Sequence, residues 1–219
     1  MKKGLDVLKR CALFTGIRLE DIDTMLGCLG ATVVNYGKKE RIMSEGEQTG
    51  KIGIVLSGCA QIEQVDFYGN RSIMARVLPS ELFGESFACA ELKQLPVDVI
   101  AAENTEIMLL DCSKIMASCC KSCEFHNRMI ANLLKIVSDK NLFFYQKIEV
   151  ISQRTTREKL MTYLLLQAKK FHSDRFTIPF DRQELADFLG VDRSGLSAEI
   201  SKLRAEGVLE CQKARFRLL

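Results

Sequence analysis

Residues 181–206 read Asp181-Arg182-Gln183-Glu184-Leu185-Ala186-Asp187-Phe188-Leu189-Gly190-Val191-Asp192-Arg193-Ser194-Gly195-Leu196-Ser197-Ala198-Glu199-Ile200-Ser201-Lys202-Leu203-Arg204-Ala205-Glu206. Their punctuation decides the fold of the last third of the chain. Asp181 suits the N-cap of a first helix whose Leu185, Phe188 and Leu189 face inward. Ala186 is small where a second helix must cross, and Gly190 suits the turn between the two. Asp192 then caps a second helix with a one-sided stripe of Leu196, Ile200 and Leu203. Two short helices so arranged form a helix-turn-helix, and the second has the size that enters a DNA major groove.

The residues nominated for DNA follow from that geometry. Arg193, Ser194 and Ser197 lie outward at the start of the second helix, with Lys202 further along it. A guanidinium offers a bidentate fork to guanine O6 and N7, and serine hydroxyls bond bases or phosphates. Arg182 and Gln183 open the first helix, where contact with the DNA backbone is expected. After Gly207, the runs Val208–Cys211 and Arg215–Leu218 are predicted to pair as a short wing. The charge agrees weakly. From Thr155 onward there are 12 Lys/Arg against 9 Asp/Glu, whereas the preceding residues balance at 19 of each sign. The whole formal excess of +3 therefore sits in this third, on the side of an anionic partner.

Upstream, two short helices are predicted within residues 5–28, parted at Thr15-Gly16, with Leu19, Ile22, Met25 and Leu26 as the second one's apolar face. From Ala31 to about Asp111 the texture changes. Short apolar runs at Thr32–Val34, Ile52–Leu56 and Ile73–Leu78 alternate with turn residues at Tyr36-Gly37, Glu45-Gly46, Ser57-Gly58, Tyr68-Gly69-Asn70 and Pro79-Ser80. That spacing predicts an antiparallel β jelly roll. A segment without Gly or Pro follows, from about Ser113 to Lys170. In it Cys123, Ile130, Val137, Phe144 and Ile151 recur every seven residues, and Asn127, Leu134, Asn141 and Ile148 recur four behind them. This is a coiled-coil seam over about four heptads, with Asn141 at a core position where a buried amide fixes register. It predicts a homodimer; the competing reading is a helix packed on its own barrel. Thr155-Thr156 before Arg157-Glu158 marks the next helix start. That helix is expected to bury Leu160, Tyr163, Leu164 and Ala168, and Phe176–Phe180 reads as a strand. The fold class is therefore α+β, in three parts. Residues 1–112 form an N-terminal antiparallel β jelly-roll sensor domain, 113–153 a long dimerisation helix, and 154–219 a C-terminal winged helix-turn-helix domain.

In this order of parts the chain resembles the Crp/Fnr family of transcription regulators along nearly its whole length. Leu13-Phe14 is similar to the family's N-terminal segment. Leu78–Glu85, ending Phe83-Gly84-Glu85, resembles the opening of its phosphate cassette. The resemblance implies a homodimer that binds a pseudopalindromic operator in double-stranded DNA and contacts RNA polymerase. It implies an effector pocket at Phe83, Gly84, Glu85, Leu95 and Pro96, with Phe144 and Tyr145 where the long helix would meet a purine. Cyclic-nucleotide binders carry Arg-Ser where this chain has Leu95-Pro96, so Glu85 lacks its usual companion and cyclic AMP is not expected as the ligand. Arg71, Arg76 and Lys93 are the other basic residues considered for the missing charge. Ala198 and Ser194 stand where many members have Arg and Glu, so the usual operator is not expected either.

Nine cysteines, an odd number in a chain of this size, argue against a secreted disulfide framework and for reduced thiols. Cys11, Cys119, Cys120, Cys123 and Cys211 are the redox candidates, while Cys59, Cys89 and Cys112 read as small buried hydrophobes. Iron–sulfur members of the family use several closely spaced N-terminal cysteines; Cys11 and Cys28 lack that spacing. His126 and His172 are too isolated for zinc, so no metal site is predicted, and neither haem nor an iron–sulfur cluster is signalled. The alternative regulator is nevertheless a redox, iron–sulfur or haem-dependent sensor that uses cysteine or histidine. No Ser/His/Asp set, paired carboxylates or P-loop point to an enzyme, and the helix-turn-helix argues against a cyclic-nucleotide-controlled kinase subunit. With no membrane span and no signal peptide, the expected setting is the cytoplasm.

Overall fold

The computed structural model describes residues 2–117 and 124–219. They divide into two compact units, Met1–Val65 with Met74–Asn141 and Asp66–Ile73 with Leu142–Leu219. Among the described residues no helix is long and apolar enough to cross a membrane.

The first unit opens with α1 (Lys2–Arg10), a 3-10 turn at Ala12–Phe14 and α2 (Leu19–Cys28), broken near Thr15-Gly16 as the sequence predicts. The strands follow as β1 (Thr32–Tyr36), β2 (Arg41–Met43), β3 (Lys51–Ser57), β4 (Ala60–Val65), β5 (Arg71–Val77) and β6 (Leu82–Phe83). After α3 (Glu85–Cys89) come β7 (Asp98–Ala101) and β8 (Thr105–Asp111). Two four-stranded sheets result, ordered β1-β8-β3-β6 and β2-β7-β4-β5. Val33 lies opposite Met108, Ile54 opposite Met108 on the other edge of β8, and Ile62 opposite Val99, all in antiparallel register. This is the jelly roll. Its interior is filled by Met43, Val55, Val77, Phe83, Leu95, Val99 and Ile107. Gly53 permits one of these contacts, because a Cβ there would stand 2.0 Å from Cζ of Phe83.

The segment 113–153 is not one helix. α4 (Cys112–Met116) is capped by Asp111, whose carboxylate accepts from the Ser113 amide, and stops where Ala117 turns extended. α5 then runs from Glu124 to Ile151. The face of α5 that packs in its own core is distinct from the face that carries the heptad positions. Met129, Leu133 and Ile136 are buried in one core with Leu13, Phe14, Ile22, Ile52, Leu110 and Ile115. The heptad positions point elsewhere. Leu134 is 68% exposed and Ile148 56%, with Asn141 and Ile151 exposed and Ile130, Val137 and Phe144 half-buried. Cys123, the first seam layer, lies outside the described residues.

In the second unit, α6 (Thr156–Phe171) starts at a capping box. The Glu158 amide donates to the Thr155 hydroxyl and the Thr155 amide to Glu158, reciprocally satisfying two end groups. Leu160, Tyr163 and Leu164 are buried, as the sequence predicts, while Ala168 is half-buried. β9 covers Arg175–Thr177 and so ends before Pro179, which has no amide to pair. α7 (Arg182–Leu189) and α8 (Arg193–Ala205) follow, then β10 (Leu209–Gln212) and β11 (Arg215–Leu218). The last two pair antiparallel as the expected wing, Cys211 opposite Phe216, with β9 on the far edge of β11.

Lys147 of α5 is buried in this unit, 6% exposed. Its ammonium donates to the carbonyl of Ile73 and stands 4.5 Å from the centre of the Phe188 ring. Burial pulls its pKa down from 10.5 to about 8. Below about pH 8 both folded and unfolded chains hold the proton, and the folded chain bears the cost of the buried charge. Between 8 and 10.5 the unfolded chain binds more proton, so stability from this group rises with pH. Relative to Lys147→Met, the wild type should gain roughly 3 kcal/mol across that window. Denaturant unfolding of the two proteins at pH 7.5 and 10.5 checks this, and a pH-independent difference would show that the ammonium is not desolvated.

Candidate nucleic-acid interface and sensing site

The α7–α8 pair is built by its caps. The Glu184 amide donates to Asp181 and the Asp181 amide to Glu184, both at 2.8 Å, so α7 begins with a second capping box. It ends at Gly190 in the left-handed region, φ 61°, which a side chain would strain. Asp192 starts α8, accepting from the Gly195 amide at 2.7 Å and from the Ser194 hydroxyl. Those bonds, Ser194 first, hold its carboxyl below the ordinary range. Leu196, Ile200 and Leu203 then pack with Leu185, Ala186, Phe188 and Leu189.

Arg157 of α6 takes the two acids on and just after α8, with Nη1 3.5 Å from Glu199 and Nη2 2.5 Å from Glu206. Arg193, Ser194, Lys202 and Arg204 are exposed, and Ser197 is half-buried. The exposed residues of α8 thus carry guanidinium, ammonium and hydroxyl groups, while Glu199 and Glu206 are paired with Arg157. Ser194 differs from the sequence expectation in one respect, since its hydroxyl is occupied by the Asp192 cap. Arg182 does not simply reach outward. Its guanidinium lies 3.4 Å from the Cys211 sulfur and over the Phe216 ring, 6.0 Å from the centroid. Gln183 donates to Asp187 at 2.8 Å, and Asp187 also receives Arg71 at 2.6 Å. Sequence reasoning passed over Arg204, and over Lys213 and Arg215 at the exposed tip of the wing. The wing itself was legible, but the charge of its turn was not weighed.

The cassette residues come together in the first unit. Phe83 and Leu95 are buried in the barrel interior, and Pro96 is exposed. Glu85 is 2% exposed at the start of α3, with Lys140 Nζ of α5 at 2.8 Å. The same ammonium donates to the Leu82 carbonyl at 2.6 Å. Glu85 therefore has a cationic companion after all, and it is none of Arg71, Arg76 and Lys93. Its second oxygen, Oε2, has no hydrogen-bond partner among the described residues. Phe144, half-buried, and Tyr145, exposed, belong to the second unit.

The cysteine expectations need correction. Cys11, nominated for redox work, is fully buried, and burial pushes its thiol up to about 11. Such a thiol is neither reached by solutes nor ionised near neutrality. Cys59 is buried as expected, but Cys89 is exposed rather than a core hydrophobe, and its sulfur lies 3.6 Å from that of buried Cys112. Cys211 is half-buried beside Arg182; Cys119, Cys120 and Cys123 lie outside the described residues. His126 Nε2 is 3.0 Å from the Lys114 carbonyl, and His172 caps α6 in the left-handed region. No three His, Cys, Asp or Glu side chains among the described residues converge as metal ligands would.

Residues 33–119 match the cyclic nucleotide-binding domain family, and residues 158–219 the Crp-like helix-turn-helix domain family. The chain is 23% identical over 187 residues to the transcriptional activator protein FnrA of Stutzerimonas stutzeri, covering 83% of this chain and 74% of that one. It is 24% identical over 202 residues to the cyclic AMP receptor protein of Thermus thermophilus, covering 92% and 89%. In fold it is similar to the c-di-GMP responsive regulator CLP of Xanthomonas campestris. That match has TM-score 0.74 at 16% identity and covers 92% of this chain and 99% of that one.

Removing one partner of a buried pair strands the other charge. Lys140→Met should destabilise the protein by roughly 2–4 kcal/mol, the lower figure reflecting the partly exposed lysine. Adding Glu85→Gln should recover at least half of that loss, because no unpaired charge is then left at the cassette. Denaturant melts of wild type, both single variants and the double variant test this coupling, and additive losses would mean the ion pair does not hold the cassette.

Proposed function

Because the chain belongs to the Crp/Fnr family of DNA-binding transcription regulators, we propose that it binds a pseudopalindromic operator as a homodimer under a signal other than cyclic AMP. Its homologues are transcription regulators, and the chain is not an enzyme. The work is divided among a sensing domain at 1–112, a dimerising region at 113–153 and a DNA-binding domain at 154–219, in the cytoplasm, with RNA polymerase as a further partner. The observation that carries the reading is the capped α7–α8 pair, with Arg193, Ser194 and Lys202 exposed on α8 and its acids paired with Arg157. Arg193, Ser194, Ser197 and Lys202 supply base and phosphate contacts, and Arg182 and Gln183 secure the backbone. Arg193→Ala should weaken operator binding by about 1–3 kcal/mol and relax preference at one base pair. Gel shifts showing unchanged affinity and unchanged preference would place the recognition register elsewhere.

Dimerisation is supported by the exposed heptad face. Ile130, Leu134, Val137, Phe144, Ile148 and Ile151 form an apolar stripe interrupted by Asn141, with Leu134 and Ile148 largely in solvent. A second copy with the same stripe covers it by two-fold symmetry and places two α8 helices at one DNA site. Val137→Lys with Phe144→Lys should yield monomers with sharply reduced operator affinity, since two seam layers cannot bury unpaired charges. Light scattering that still gave the dimer mass would remove the seam from the reading.

The signal is constrained by Leu95 and Pro96. No guanidinium stands there to meet a cyclic phosphate, and Lys140, the cation beside the cassette, is already engaged by Glu85. An anion entering the barrel would lose hydration without a free charge partner. Calorimetric titration with cyclic AMP and cyclic GMP should give no micromolar isotherm. A clear one would show that Lys140 exchanges Glu85 for phosphate.

A further inference from the structure

We propose that Cys89 and Cys112 form a peroxide-reactive dithiol that closes to an intramolecular disulfide between the end of α3 and the start of α4. Cys89 is the last residue of α3 and is exposed, whereas Cys112 is the first residue of α4 and is buried. Their sulfurs stand 3.6 Å apart. A disulfide needs about 2.05 Å between sulfurs, so closure requires an approach of roughly 1.5 Å. The two short helices that carry the thiols are joined through β7 and β8, 23 residues apart in sequence, so the encounter is a product of the fold.

The asymmetry of the pair assigns the order of events. Burial pushes the Cys112 thiol up to about 12, with the Cys89 sulfur adding to the effect, so Cys112 keeps its proton beside the Cys89 sulfur. Cys89 is the sulfur that a hydroperoxide reaches from solvent. Its thiolate attacks one peroxide oxygen, the O–O bond breaks, and the other oxygen leaves as alcohol or water after taking a proton. Cys89 is thereby oxidised to a sulfenic acid and the peroxide is reduced. The Cys112 sulfur then attacks the Cys89 sulfur and the S–O bond breaks. The hydroxyl departs as water with the Cys112 proton. The net change is two thiols and one hydroperoxide to one disulfide, one alcohol and one water. Holding the resolving sulfur at 3.6 Å makes the second step intramolecular, which offsets its low ionisation. This site is separate from the nominated redox cysteines.

Tryptic mapping of the full chain tests the assignment directly, because Cys89 and Cys112 fall in adjacent peptides, 77–93 and 94–114, that contain no other cysteine. After brief exposure to hydrogen peroxide, a cross-linked pair two hydrogens lighter than the sum of its peptides should appear, and alkylation of both peptides should be lost. Dithiothreitol should restore both. In Cys112→Ala, dimedone should trap Cys89 as its sulfenic acid, whereas in Cys89→Ser the 94–114 peptide should stay fully alkylatable. Two results on the wild type overturn the proposal without any variant. One is both peptides alkylated as before at peroxide doses that oxidise other cysteines of the chain. The other is Cys89 found linked to a different cysteine.

Discussion

The helix α5 must satisfy two apolar faces with one periodicity, and the rest of the molecule is arranged around that constraint. Met129, Leu133 and Ile136 close the core of the first unit, while Lys147 and Val150 are buried in the second. What remains is the heptad stripe, offset from the buried face by about one residue's rotation, roughly 100°. A helix that spent its whole apolar surface on its own barrel would have no surface left for a second copy. One that spent it all on a partner would leave Leu13, Phe14 and Ile115 half-covered. In the proposed homodimer, two stripes on one helix make the two packings compatible, with Asn141 of the outer stripe setting register.

The DNA-facing helix lives under a different restriction, since a surface meant for a groove cannot contribute to its own stability. Stability therefore comes from behind and from the ends. Leu196, Ile200 and Leu203 supply the burial, and caps at Asp181 and Asp192 contribute about 1 kcal/mol each. Arg157 is better understood through charge placement than through bond strength. Its pair with Glu206 is exposed, that with Glu199 is partly buried at 3.5 Å, and both contribute little to folding. By pairing with Arg157, however, those carboxylates have their charge offset near the exposed Arg193, Lys202 and Arg204.

The sequence disclosed what is local or periodic. Caps at Asp181, Asp192 and Thr155, the left-handed turn at Gly190, the strand breaks and the seven-residue seam all depend on residues within one or two turns of each other. Each therefore leaves a pattern along the chain. What stayed hidden depends on residues brought together by the barrel's closure. Lys140 lies 55 positions from Glu85, and nothing in its neighbourhood distinguishes it from any other lysine on the polar side of a helix. Cys89 was read as a core hydrophobe because cysteine usually is one, but the end of a five-residue helix leaves it in solvent. The stop of α4 at Met116 was equally silent, since no Gly or Pro marks it. Arg182 was assigned by its place at a helix start; its lie against Phe216 depends on the wing folding back beside it.

The short helix α3 gathers these hidden features at its two ends. Glu85 begins it and is tied to Lys140 of α5, and Cys89 ends it and faces Cys112 of α4. A five-residue helix has too few internal hydrogen bonds to hold its position alone. Those two side-chain contacts, and the packing of Ala88 and Phe87 against the cores, help to hold it. Chemistry at either end acts on the same rigid piece: breaking the ion pair frees its start, and joining the thiols fixes its finish. The two partners reside on α4 and α5, the helices that follow β8. A signal need not fill the barrel as a nucleotide would. It needs only to favour one position of α3 over another by different interaction free energy in the two states.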